Sequence, residues 1–164
     1  MKTRSGFVSN SSSSSFIVGL EKNPKELSVS EIQSLFFGGK EIICSYDEGM
    51  LATDLAKILH QDLQDAPELK TRRELLEEVM SGYYPGYPKL DYPKDFSKEA
   101  YKKWDAEFSK LNKIGATKIV DLFLDKYSNL RFFLVEYEDH SASGQILEYG
   151  SFWRNIPHIQ VSKH

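Results

Sequence analysis

The chain has 164 residues with a formal net charge of -3, 40% hydrophobic and 27% charged residues and an aromatic share of 13%. This is enough chain for one well-formed core, too little for two, and too aromatic for a disordered polymer. The acidic balance gives no electrostatic footprint for nucleic acid, and no apolar run approaches the ~20 residues of a membrane span.

A serine tract, Ser11 to Ser15, opens the interpretable part of the chain, flanked by "GFV" and "FIV". After it, "FIVGL" (16–20) reads as a short buried strand, and "NPKELS" (23–28) supplies turn residues that end it. Ile32, Leu35 and Phe36 then recur at helical spacing, with Gly38 and Gly39 as a stop. "EIICSY" (41–46) is a second strand, and Cys44 within it reads as a buried, inert thiol with no cysteine to pair with. From Asp47 onward, Leu51, Leu55, Ile58 and Leu59 describe one stripe of a helix ending near Gln64. Pro67 is well placed to begin another, with Leu69, Leu76, Val79 and Met80 inward.

Residues 82–96, "GYYPGYPKLDYPKDF", carry Tyr83, Tyr84, Tyr87 and Tyr92 among Pro85, Pro88 and Pro93. Such a stretch favours extended and turn conformations, so its rings pack back on the domain or wait for a protein partner. Ser97 follows as a helix N-cap, with Phe96 and Tyr101 as a hydrophobic staple. Tyr101, Trp104, Phe108 and Leu111 continue an inward stripe, Gly115 breaks or bends the helix, and Ile119, Val120, Phe123, Leu124 and Tyr127 form a further one. The period then changes: "RFFLVEYE" (131–138) and "QILEYG" (145–150) read as two strands of a hairpin around the loop "DHSASG" (139–144). "HIQVSKH" (158–164) alternates as a final strand. The pattern as a whole predicts a single α+β domain over 1–164, an antiparallel sheet packed by the central helices, with the Tyr/Pro loop at 82–96.

Serine runs are commonly flexible linkers. Apolar anchors on both sides instead predict an ordered loop, with Phe7, Phe16 and Val18 buried, whose hydroxyls and backbone N–H groups would suit the phosphate of a small molecule. Ser11, Ser12, Ser13, Ser14 and Ser15 are the candidate phosphate-binding residues. The tract lacks the glycines and lysine of a P-loop, and no cofactor is implied. Exposed serines are equally suited to phosphorylation. In the final strand His158, Gln160, Ser162 and His164 share one face. A strand separates His158 from His164 by roughly 20 Å, which rules out one shared metal. His140, Glu148 and His158 form the candidate acid/base set. His60, beside an apolar stripe, reads as structural or exposed.

The opening "GFVSNSSSSSF" and the closing "LEYGSFWRNIPHIQVSKH" resemble the two ends of a family of small uncharacterised proteins encoded by bacteriophages and their bacterial hosts. In that family the serine tract opens the chain, and the end carries a Glu-His-Gly step, a Pro-His strand and a terminal Ser-x-His. Tyr149 stands here where the pattern has histidine after Glu148. The resemblance implies that the two ends meet in space, and it transfers no activity. Two functions are compatible with these observations: a non-enzymatic accessory or host-interaction module binding a protein through Tyr83, Tyr84, Tyr87 and Tyr92, or an enzyme acting on a phosphate-containing substrate. With Lys2 and Arg4 followed by no apolar stretch, the expected location is the cytoplasm, that of the bacterial host for a phage-encoded chain.

Overall fold

The computed structural model describes residues 13–45 and 48–163. Phe7, Ser11, Ser12, Tyr46 and His164 lie outside the described residues. Strand β1 (Ser13–Leu20) is the centre of a four-stranded antiparallel sheet. It pairs with β5 (Arg131–Glu138) on one side and β6 (His158–Ser162) on the other, and the two-residue β4 (Glu68–Leu69) completes the order β4-β5-β1-β6. The sheet is a middle layer. On one face Phe16, Val18, Phe133 and Val135 meet α1 (Val29–Phe37), α2 (Ala52–Asp65), α5 (Ala142–Tyr149) and the short turn of helix Ser151–Asn155. On the other, Ile17, Phe132, Ile159 and Val161 meet α3 (Arg72–Val79) and the second half of α4 (Lys98–Lys126). Cover on both faces explains why β1 is buried from Ser14 to Leu20 and reads as a continuous apolar run rather than an alternating one. The expected α+β domain, with its antiparallel sheet packed by helices, is the observed one, and Phe16 and Val18 are fully buried. Among the described residues no helix is long and apolar enough to cross a membrane.

Several local expectations are corrected. Residues 145–149 are helical, not strand, and Gly150 is the C-cap: Ser141 caps α5 by accepting from the Gly144 N–H, and the Gly150 N–H closes the last turn on the Ile146 carbonyl. No hairpin therefore follows β5. Helix α2 begins at Ala52 and not Asp47, because β3 (Glu48–Leu51) pairs with β2 (Ile42–Ser45) as a small second sheet. Cys44 on β2 is exposed rather than buried. Pro67 precedes β4, and α3 starts later, at a capping box between Thr71 and Glu74. Leu35 and Met80 face solvent, and Phe37 takes the buried place beside Phe36. Gly115 neither breaks nor ends α4, which runs unbroken for 29 residues.

Candidate functional site

The serine tract is strand, not loop, over Ser13–Ser15, and strand geometry sends its side chains to opposite faces. Ser14 points into the layer beneath α5, where its Oγ donates to Glu148 Oε1 at 3.2 Å. Glu148, only 1% exposed, is held there by the buried face of α5. Gln160 Nε2 reaches Ser14 Oγ at 3.5 Å, and Tyr137 and Ser162 flank Ser14 on the neighbouring strands. The Tyr137 hydroxyl points at the Asp62 carboxylate without closing a well-formed hydrogen bond, and burial pushes its ionisation well above the usual phenol range. Burial also raises Asp62, against the Tyr137 hydroxyl, which favours the charged form.

Ser15 points to the other face and donates to Glu136 Oε1 at 2.9 Å. Lys163 Nζ also binds Glu136 and lies 3.4 Å from Glu78. Its ammonium holds the Glu136 carboxyl below the ordinary range, burial opposes, and the Ser15 hydroxyl adds to the lowering. Both buried hydroxyls are thus engaged by carboxylates. A phosphate cradle needs donors open to the ligand and free of neighbouring negative charge, and Ser14 and Ser15 meet neither condition.

The described part of the serine tract and the histidine strand do meet, with Ser14 opposite Ser162 and Val18 opposite His158. The candidate acid/base residues are nevertheless spread out. His158 lies four strand residues from the Ser14 row, roughly 13 Å. Its ring packs against Phe16 and Trp153, with centroids 6.2 and 6.1 Å away, and Nδ1 donates to the Ile156 carbonyl at 3.0 Å. His140 is on the surface, 3.2 Å from Glu138. Only Glu148, of the three, shares a site with the serines. His60 is structural, its Nε2 bonding the Leu27 carbonyl at 2.8 Å. An open cleft of about 530 Å³ lies at the far end of β1, with Leu20, Leu27, Leu35, Leu130, Ile156 and Pro157 in its lining, and contains no candidate site residue.

The Tyr/Pro segment builds a different kind of surface. A helix of 29 residues spans about 43 Å, against roughly 26 Å for an eight-residue strand. The buried residues of α4, Ala116, Val120 and Phe123, all lie in its second half. The first half overhangs the sheet, and residues 82–96 fold back along it. There the rings form a ladder: Tyr83 on Tyr87 at 4.5 Å, Tyr87 on Phe108 at 5.5 Å, Phe108 stacked on Trp104 at 5.1 Å and Trp104 stacked on Tyr92 at 4.9 Å. Trp104 Nε1 donates to the Asp91 carbonyl at 2.9 Å, which fixes the segment to the helix. Tyr84 alone of the four tyrosines is buried, its hydroxyl donating to Asn112. The expected staple is present, with Phe96 and Tyr101 ring centroids 6.4 Å apart. Trp104 and Phe108, expected to face the core, instead belong to this ladder. Their spacing marks a helix face correctly but does not say what covers it. No known protein family, curated protein or solved structure significantly matches the chain.

Proposed function

We propose that the protein is a non-enzymatic binding module of the accessory or host-interaction kind, and that the aromatic ladder is its contact surface. One observation carries the reading: only Tyr87 of the ladder packs against a buried core, while Tyr83 is 51% and Tyr92 71% exposed, and Phe96 of the neighbouring staple is 80% exposed. Large rings supply contact area at low entropic cost, and they are the residues most often found at the energetic centre of interfaces. Prolines limit the freedom of the segment before binding, which reduces the ordering cost. The test compares proteins retained by the wild type and by Tyr92→Ser with Phe96→Ser, two exposed changes expected to leave the melting temperature within a few degrees. A partner lost with the double variant supports the reading, and an unchanged set of partners refutes it.

The enzyme reading draws on the meeting of Ser14 with buried Glu148. Turnover of a nucleotide or phosphate ester that disappears in Glu148→Gln would favour it over the binding module.

A further inference from the structure

We propose that the outer edge of β6 takes up an extended segment of the partner protein by strand addition, so that the bound segment abuts the aromatic ladder; this rests on the binding-module reading and specifies the form of the partner. Antiparallel strands direct the N–H and C=O of alternate residues to opposite edges. On the edge facing β1, the Pro157 carbonyl accepts from Gly19 N–H at 2.8 Å, and Lys163 N–H donates to the Ser13 carbonyl at 2.8 Å. His158, Gln160 and Ser162 therefore direct their backbone groups outward. Ser162 uses both of its own, exchanging hydrogen bonds with Tyr83 at 2.7 Å in each direction. Among the described residues no backbone group pairs with the outward N–H or C=O of His158 or Gln160.

The chain cannot extend its own pairing. In the register that sets Tyr83 against Ser162, Pro85 would face Gln160, and proline has no N–H to offer. The backbone turns away there through Gly86 at a φ of 90°. Gly82 permits the single bridge that does form, since a Cβ at that position would stand 2.4 Å from the Ser162 carbonyl oxygen. At the opposite edge the two-residue β4 pairs only with Phe132 and Phe133 of β5, and past it the edge of β5 carries the charged Glu136 and Glu138, residues of the kind that guard an edge. Between His158 and Gln160 β6 carries no lysine, no proline and no break in its pairing with β1.

The occupant follows from these groups. Backbone donors and acceptors at strand spacing are matched by an extended peptide, the recognition mode in which main-chain bonds supply affinity and alternate side chains supply specificity. One set of its side chains lies on the polar face with His158 and Gln160. The other lies on the face of Ile159 and Val161, which α3 and α4 cover. Tyr83 ends the open edge and is also the first ring of the ladder, stacked on Tyr87. A segment of alternating polar and apolar residues with an aromatic at one end fits both surfaces.

The test selects displayed random peptides of about twelve residues on the immobilised full chain, then measures their affinity for variants by fluorescence anisotropy. Gln160→Pro removes an N–H that has no backbone partner among the described residues, and edge strands tolerate proline in that position. Gln160→Ala removes the side chain and keeps the N–H. The expected result is a loss of at least about tenfold with proline and less than about threefold with alanine. In the unmodified protein the His158 and Gln160 amides should exchange quickly with solvent and become protected when the selected peptide binds, a readout that stands should the proline variant fail to fold. Equal binding to both variants with no gain in protection, or a selection yielding no peptide, overturns the proposal. A dimer of the chain abolished by Gln160→Pro overturns the assignment to a foreign partner. Peptides weakened by Tyr92→Ser with Phe96→Ser but not by Gln160→Pro would leave the ladder reading intact and remove strand addition, and the reverse pattern would keep the edge and remove the ladder.

Discussion

Gly115→Ala separates intrinsic helix preference from tertiary packing, because the two predict opposite signs. In the interior of a long helix, alanine is more favourable than glycine by about 1 kcal/mol. A Cβ at position 115, however, would stand 2.6 Å from the Tyr84 hydroxyl oxygen, closer than any real contact, and 3.5 Å from Cζ, an ordinary one. Tyr84 cannot retreat, since its ring is buried and its hydroxyl donates to the Asn112 carbonyl and Oδ1, each at 2.9 Å. Overpacking at such a site costs about 1–3 kcal/mol, so Gly115→Ala should be destabilising by up to about 2 kcal/mol net. In a Tyr84→Phe background the colliding oxygen is gone. Tyr84→Phe alone should cost about 1 kcal/mol for the lost hydrogen bonds, and Gly115→Ala added to it should then be stabilising by about 1 kcal/mol. Urea unfolding followed by far-ultraviolet circular dichroism on the four proteins of this cycle measures the coupling directly. Stabilisation by Gly115→Ala in both backgrounds would refute the packing argument.

Trp104→Ala should cost about 1–2 kcal/mol, less than the roughly 3–5 kcal/mol of a core tryptophan, because the ring is only half-buried between Tyr92 and Phe108; tryptic cleavage at Lys89 and Lys94 should accelerate, and a full core-sized loss in urea unfolding would show that the ladder is part of the core. Ser14→Ala withdraws a donor from buried Glu148 and should lower stability by about 1–2 kcal/mol, so an unchanged unfolding midpoint would mean the contact is dispensable. Asp62 has a raised carboxyl, chiefly through burial, with Asp65 adding to the rise and the Tyr137 hydroxyl opposing it. The native state therefore holds this proton more tightly than the unfolded chain, and its stability falls as pH rises from 3.8, the unshifted value, through the raised one. Asp62→Asn should raise the melting temperature at pH 7, with the gain vanishing below about pH 4; a gain that persists in acid would remove this account.

Local chemistry alone was sufficient to mark much of this fold. The continuous apolar run Phe16–Leu20, the alternation of His158 to Ser162 and the Ser97 cap each follow from short-range pattern, and each is observed. Residues 145–150 were not legible in the same way, because six residues with adjacent Ile146 and Leu147 satisfy either period until α5 is seen packed on the sheet. The site divides similarly. Clustered tyrosines and prolines announce a contact surface at 82–96, whereas the capture of the Ser14 and Ser15 hydroxyls by Glu148 and Glu136 joins residues more than a hundred positions apart. Periodicity placed Trp104 on an apolar stripe, but that stripe overhangs the sheet and meets the Tyr/Pro segment instead of the core. Sequence determines which face of an element is apolar, since that depends on neighbours three and four residues away. What covers that face, and which backbone groups are left open at a sheet edge, depends on contacts between distant segments, and only the tertiary structure decides it.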